Sequence, residues 1–213
     1  MNKALEKLLE RYPELNICSK DIEQTYEKIK ESFEGGGKLL LCGNGGSASD
    51  CEHIVGELMK GFMKKRRING DFQNKLKGKW PSNGGYLAQN LQGALPAISL
   101  TGNGALMTAY SNDVAADMVF AQQVYGYGNS ADVLLGISTS GNAANVLHAL
   151  QVAKVLGIYT IGLTGKTGGK IKDICDTVIC VPYDNTSDIQ ERHLPIYHTL
   201  CMMLEESFFK DDK

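Results

Sequence analysis

The chain begins with two segments whose apolar residues recur at helical spacing. The first covers residues 2–11 and the second about 20–35. One face of the second segment carries Ile22, Tyr26, Ile29 and Phe33. A run of three glycines follows and is typical of a helix end. The pattern therefore predicts a pair of amphipathic helices within about residues 2–36.

Short apolar runs then alternate with helical patterns. The runs predicted as buried strands are 38–43, 96–100, 131–138, 158–165 and 177–183. The helices predicted between and after them are 47–62, 104–111, 114–126, 143–157, 168–176 and about 187–208. We also expect Pro195 to kink the last helix or to interrupt its hydrogen bonding. Strands that alternate with helices indicate an α/β fold, with a parallel sheet covered by helices on both faces.

Residues 64–95 lack this alternation. Basic residues, Gly, Asn and Pro follow one another there with weak periodicity. Because the periodicity is weak, we predict an excursion from the core with one short helix near 86–92. Connections of this length are usually functional or mobile. At 213 residues, the chain is predicted to form one domain, 1–213, that this insertion interrupts.

The overall composition narrows the class of protein. The formal net charge is −2 and 43% of the residues are hydrophobic, as in an ordinary globular domain. A nucleic-acid partner is not expected, because such proteins usually carry a basic excess. The N-terminus does not resemble a signal peptide, and no apolar run approaches the roughly 20 residues of a membrane span. We therefore expect a cytoplasmic protein without a membrane partner.

Two glycine- and serine-containing turns follow predicted strands. They read GNGGS at 43–47 and STSGN at 138–142. Hydroxyl groups and helix N-terminal amides can bind a phosphate in such turns, and glycines allow its close approach. A single turn of this kind is as easily a plain strand-to-helix connection. Two of them at strand ends, where ligands bind in α/β sheets, favour an anion site.

Two helices carry candidate catalytic side chains. His53 and Glu57 are four residues apart on the helix after the first turn, so they share a face. Such a pair can bind a metal or transfer a proton, although spacing alone favours an exposed surface pair. The last predicted helix carries Gln190, Glu191, His193 and His198, for which a solvated helix face is the alternative. His148 lies in an apolar helix and is predicted to be structural.

Taken together, these motifs resemble a known family. CGNGGSASDCEHIVGEL, DVLLGISTSGNAANV, LTGKTGGK and the IQERH…H segment are similar to the phosphoheptose (sedoheptulose 7-phosphate) isomerases, which contain a sugar isomerase (SIS) domain. The resemblance covers about residues 20–208 and is interrupted at 64–95. It implies the SIS fold, a three-layer sandwich with a five-stranded parallel sheet. It also implies a homotetramer that binds its phosphosugar at subunit interfaces.

The resemblance assigns roles to individual residues. Those implied to bind substrate are Asn44, Gly45, Ser47, Asp113, Ser138, Thr139, Ser140, Asn142 and Gln190. Of these, the serines and the threonine would hold the phosphate. The implied zinc ligands are His53, Glu57, Gln190 and His198. Glu57 and His198 match the family's acid–base pair, which implies aldose–ketose isomerisation through an enediol.

Some positions differ from the family pattern and bear on substrate identity. Ala143 follows STSGN where the family commonly has a serine. Lys60-Gly61-Phe62 replaces a segment that usually contains an arginine, so Lys60 or the basic run 64–67 is expected to supply the charge. Two other functions stay open on the sequence: a non-catalytic SIS module that regulates a protein partner, and an isomerase of another sugar phosphate. The complete His/Glu/Gln/His set favours the phosphoheptose isomerase.

Overall fold

The computed structural model describes residues 2–209 as nine α-helices around five strands. The strands are β1 (Leu39–Gly43), β2 (Ala97–Ser99), β3 (Val133–Ile137), β4 (Tyr159–Thr164) and β5 (Thr177–Cys180). The helices are α1 (Lys3–Arg11), α2 (Ser19–Glu34), α3 (Gly46–Met59), α4 (Gly70–Lys79), α5 (Gly84–Asn90), α6 (Gly104–Tyr110), α7 (Val119–Tyr127), α8 (Ala144–Val155) and α9 (Thr186–Phe208). Short 3₁₀ turns cover Pro13–Cys18, Ala116–Met118 and Gly169–Asp173, and a π turn covers Ser111–Ala115.

All five strands form one parallel sheet in the order β2-β1-β3-β4-β5. The chain moves from β1 to one side for β2, then crosses back to β3 on the other side. This reversal places a switch point between β1 and β3, whose last residues, Gly43 and Ile137, are paired. Ligands bind at such a point because the loops after the two strands diverge there.

Helices cover both faces of the sheet, as the sequence predicts. Alternate residues of a strand point to opposite faces. Leu39 and Leu41 of β1 therefore pack in one core with α1, α2, α3 and α9. Leu40 and Cys42 pack in the other core with α7 and α8. The three-layer arrangement follows from this double burial.

The region 64–95 contains two helices, of which the sequence predicted only α5. The missed helix, α4, has no buried residue. A helix that buries none of its residues fully carries no continuous apolar stripe, so the periodicity that predicts a helix is weak. Arg67 forms an antiparallel bridge with Gln92, which brings the two ends of this excursion together.

Helix α9 continues from Thr186 to Phe208 through Pro195. Proline has no amide hydrogen, so the carbonyl four residues earlier lacks its usual donor. The hydroxyl of Thr199 donates to the carbonyl of Pro195 at 2.8 Å.

Within residues 2–209, no helix combines the length and the apolar character needed to cross a membrane.

Candidate active site

The two predicted anion-binding turns lie side by side, because they follow the neighbouring strands β1 and β3. Asn44 after β1 and Asn145 in α8 exchange two hydrogen bonds between their side-chain amides, each 2.9 Å long. Ser47 lies in the first turn of α3 and is buried. Gly45 precedes that helix with a φ of +57°. The helix N-terminus of α3 and the turn after β3 therefore face one region.

The turn after β3 presents hydroxyl groups at different depths. Ser138 is buried, Thr139 is half-buried and Ser140 is exposed. The side chain of Asn142 is used within the protein, since its Nδ2 donates to the carbonyl of Ser140 and its Oδ1 accepts from the amide of Lys170. Asn142 therefore shapes the turn, and both ends of its amide are already engaged.

A second glycine turn supports the turn after β3 from behind. Gly141 and Gly169 have φ values of +65° and +54°. A Cβ atom on Gly141 would clash with the carbonyl oxygen of Gly168, and one on Gly169 would clash with that of Ser140. The amide of Ile171 also donates to the carbonyl of Gly141 at 3.1 Å. The two backbones are therefore nested, with no room for side chains between them.

Three of the four predicted metal-site residues lie close together between α3 and α9. Nε2 of His53 is 3.3 Å from Oε1 of Glu57. The ring centroids of His53 and His198 are 5.0 Å apart, and the two rings are nearly perpendicular. Nζ of Lys60 is 2.9 Å from Oε2 of Glu57, so each carboxylate oxygen has a nitrogen neighbour. The surface-pair interpretation of His53 and Glu57 is therefore incomplete, because α9 brings His198 to the same place.

Gln190 and Asp113 lie outside the group formed by His53, Glu57 and His198. A Cβ atom on Gly46 would be 2.6 Å from Nε2 of Gln190, which places this glutamine against the turn after β1. Asp113 lies in the exposed π turn, where its Oδ1 accepts a hydrogen bond from Asn112. No hydrogen bond or ion pair within residues 2–209 connects Asp113 to the other candidate residues.

The surroundings of His198 favour its neutral form. Burial lowers its pKa, the nearby His53 lowers it further, and Glu57 opposes both. Its Nε2 atom is buried and has no hydrogen-bond partner within the described part of the chain. An unpartnered imidazole nitrogen beside another imidazole and a carboxylate has the chemistry of a metal ligand. Among residues 2–209, however, no three His, Cys, Asp or Glu side chains lie close enough together, in their present positions, to hold one metal ion.

Two residues at this site were not predicted. The hydroxyl of Tyr197 lies 3.1 Å from Nδ1 of His53 and donates to Oδ1 of Asp50 at 3.2 Å. Asp50 precedes His53 by three residues on α3, a helical spacing that could have singled it out. Tyr197 lies within an apolar stretch of α9, so only its position next to His198 distinguishes it.

A buried ion pair joins the helices that carry the site. Nε of Arg66 donates to Oε1 of Glu205 at 2.7 Å, and both side chains are at most 1% exposed. The remaining guanidinium nitrogens donate to the carbonyls of Leu58 and Glu57, at the end of α3. The expectation that the basic run supplies charge to the site is therefore wrong for Arg66, whose charge is matched by Glu205.

Glu205 and His193 are two further buried titratable groups of α9. Burial raises the pKa of Glu205, but the amides of Phe62 and Met63 and the Arg66 guanidinium outweigh it and leave that pKa lowered. Burial lowers the pKa of His193 to about 4, against a smaller opposing effect of the Thr164 backbone. We therefore expect His193 to be neutral and Glu205 to be ionised.

Comparison with known proteins agrees with this arrangement. The sequence model of the SIS domain matches residues 2–71 and 82–165, leaving out most of α4. The phosphoheptose isomerase of a Nitratiruptor species is 44% identical over 92% of this chain and 96% of its own. Phosphoheptose isomerase 1 of Campylobacter jejuni is 40% identical over 90% and 89%.

Solved structures give the same result. The phosphoheptose isomerase of Neisseria gonorrhoeae is 32% identical, with a TM-score of 0.74 over 94% of each chain. That of Francisella tularensis is 31% identical, with a TM-score of 0.75 over 94% of each chain. The shared fold, the nearly complete coverage and the identity to several relatives agree with the motifs, and this chain therefore belongs to the phosphoheptose isomerases of the SIS domain family.

Proposed function

We propose that this protein interconverts sedoheptulose 7-phosphate and D-glycero-D-manno-heptose 7-phosphate. The observation that carries the proposal is the meeting of His53, Glu57 and His198 between α3 and α9, on a fold whose two glycine- and serine-containing turns follow neighbouring strands. One part of such a site suits a phosphate and the other suits proton transfer. The relatives are named phosphoheptose isomerases, which supports a seven-carbon sugar as the substrate.

The phosphate would bind between the two turns. Ser47, Ser138, Thr139 and Ser140 would donate hydrogen bonds to it, together with amides at the N-terminus of α3. Asn44 and Gly45 would lie near the sugar, with Gln190 against the same turn. Ala143 has no hydroxyl, so the phosphate would be held with one fewer side-chain donor than in the family pattern.

Catalysis would proceed through an enediol. Glu57 would remove the proton from C1 of the ketose and return it to C2, while His198 would move a proton between the two oxygens. A neutral imidazole can accept or donate at these oxygens, and the lowered pKa of His198 keeps it neutral at pH 7. For Glu57 to act, one of its oxygens must be released from Lys60 or His53.

We further propose that zinc binds to His53, Glu57, Gln190 and His198. The set of two imidazoles, a carboxylate and an amide oxygen suits this ion, and the orphaned Nε2 of His198 supports the proposal. When bound, the ion would polarise the substrate carbonyl. Since His53, Glu57 and His198 are not grouped closely enough to hold a metal ion within residues 2–209, binding would require side-chain rotation.

We also propose a cytoplasmic homotetramer with sites at its subunit interfaces. Large apolar side chains are exposed on α7, α8 and the π turn before α7, including Val155, Tyr125 and Val114. Exposed apolar side chains of this size are suited to contact with another subunit. Asp113, which the resemblance implies to bind substrate, has no bond to the other site residues within residues 2–209 of its own chain, and this agrees with a site completed by a neighbour.

The decisive experiment is to incubate the purified protein with sedoheptulose 7-phosphate, with and without zinc, and to follow the product by NMR. We expect turnover by the native protein and a loss of orders of magnitude in Glu57→Gln and in His198→Ala. His148→Ala is the matched control, since that histidine contacts Asp117 and no hydrogen bond or ion pair within residues 2–209 joins it to His53, Glu57 or His198. A folded native protein without turnover in either condition would refute the function. Full activity in both variants would refute the site.

A further inference from the structure

We propose that Tyr197, held in place by Asp50, is a positioning residue that fixes the tautomer and the orientation of His53. The proposal rests on the proposed function only in taking His53 as part of the site. Its basis is a chain of three side chains that runs from Asp50 through Tyr197 to His53.

The direction of each hydrogen bond follows from the number of protons available. A tyrosine hydroxyl has one hydrogen, and Tyr197 donates it to Oδ1 of Asp50 at 3.2 Å. The same hydroxyl oxygen lies 3.1 Å from Nδ1 of His53 and must therefore accept there. His53 is consequently protonated at Nδ1. Its Nε2, which lies 3.3 Å from Glu57, is left to carry the lone pair or to bind a further proton or a cation.

Packing holds the hydrogen-bonded series from Asp50 through Tyr197 to His53 in one geometry. Tyr197 is 2% exposed, so its ring cannot change rotamer without disturbing the core. The ring meets His53 edge to face at 5.5 Å and His198 at 5.0 Å, and thus contacts both histidines. The hydroxyl therefore stays at a fixed point against which His53 is oriented.

A purely structural role explains less of this arrangement. The side chain of His53 is 43% exposed, so water could have satisfied its Nδ1. Phenylalanine would fill the same part of the core without placing a polar hydroxyl there. The Tyr197 hydroxyl instead joins one half-exposed histidine to one half-buried carboxylate. Orientation of the other ring nitrogen is the usual function of such a partner in catalytic and metal sites.

The first test reads the tautomer directly in metal-free protein. With ¹⁵N-labelled histidine, the two ring nitrogens of His53 are distinguished by NMR at a pH well above the usual histidine pKa of about 6.5, and His53→Asn assigns the signals. We expect the Nδ1–H form in the native protein and loss of this preference in Tyr197→Phe. In Asp50→Ala, the freed hydroxyl can donate to Nδ1, so the Nε2–H form should dominate. A native Nε2–H form, or the native pattern in both variants, would overturn the proposal.

A matched control separates positioning from the loss of a buried hydroxyl. Tyr26 is also largely buried, and its hydroxyl lies 2.7 Å from that of Ser207, far from His53 in the chain. Tyr26→Phe should leave the His53 signals unchanged. If Tyr197→Phe does not fold, Asp50→Ala still decides the question, because Asp50 lies in the first half of α3 and is not fully buried.

The second test measures zinc affinity by competition with a chelator, and turnover, on the same variants. Loss of an orienting partner typically costs about 10–100-fold in metal affinity or activity. We expect such a decrease in Tyr197→Phe and none in Tyr26→Phe. If the native protein has no isomerase activity but the tautomer changes as predicted, the proposed function fails and the positioning role stands. If the protein is active and the tautomer does not respond, the positioning role fails.

Discussion

Replacing Glu205 by glutamine should destabilise the protein strongly, although the two side chains have nearly the same shape. The carboxylate accepts hydrogen bonds from the amides of Phe62 and Met63, both at 2.8 Å. It also accepts from Nε of Arg66 at 2.7 Å. A glutamine amide places an NH₂ group where one of the carboxylate oxygens was, so at least one of these donors would face another donor.

The magnitude follows from the burial of the pair. The Arg66 and Glu205 side chains are 0% and 1% exposed, so neither charge is screened by water. Removing one partner of a buried ion pair costs about 3–5 kcal/mol, because the remaining charge is left uncompensated. This is a large fraction of the roughly 5–15 kcal/mol that stabilises a typical domain. We therefore expect Glu205→Gln to lower the free energy of unfolding by about 3–5 kcal/mol.

Urea unfolding followed by circular dichroism measures this change, at one protein concentration for every variant. Arg66→Met should cost a similar amount, and the double variant should cost clearly less than the sum. Lys28→Met is the control, since it breaks an equally short but exposed ion pair with Glu31 and should have only a small effect. A loss below about 1 kcal/mol in Glu205→Gln, or additive costs in the double variant, would refute the reasoning.

Two further predictions concern the site, and a third concerns the stability of the fold. Ser138→Ala should mainly raise KM in steady-state assays, because it weakens phosphate binding equally in ground and transition states; a large fall in kcat with unchanged KM would contradict this role. Zinc removal by a chelator should abolish turnover and its return should restore it, whereas full activity in metal-free protein would exclude a catalytic metal. The free energy of unfolding should fall by about 3 kcal/mol as the pH drops from about 6.5 to about 4. In this range His193 binds a proton in the unfolded chain, where its pKa is about 6.5, but stays neutral in the folded protein, where its pKa is about 4. His193→Gln should remove this slope in urea titrations and His148→Gln should keep it.

The fold could be predicted to a large extent because most of its strands are apolar runs and most of its helices carry apolar residues at helical spacing. Each of the five strands is a short apolar run, and α2 carries its buried residues on one face. Helix α4 escaped prediction because it buries nothing, and periodicity detects helices only through the face that they bury. The burial of Arg66 was equally hidden, since four consecutive basic residues indicate a solvated segment unless the position of Glu205 is known.

The site was predictable only where its residues are close in sequence. Helical spacing alone placed His53 beside Glu57, and strand-to-turn patterns identified both phosphate-binding candidates. The family resemblance added His198, and no local rule indicates that α9 brings it within 5.0 Å of the His53 ring. Tyr197 could not be found in the same way, because an aromatic residue in an apolar helix is expected to be core. It fills the core and also points its hydroxyl at the site.

The nested turns at Gly141 and Gly169 have a consequence for engineering this protein. Because each backbone occupies the space that a side chain on the other would need, the segments around 138–142 and 168–171 form one unit of exchange. A graft that transfers the STSGN turn from a relative with a different substrate would meet a mismatched surface unless the second segment is transferred with it. Libraries that redesign the phosphate end should therefore keep Gly141 and Gly169 and vary the two distant stretches together, because a side chain at either glycine would meet the backbone of the other segment.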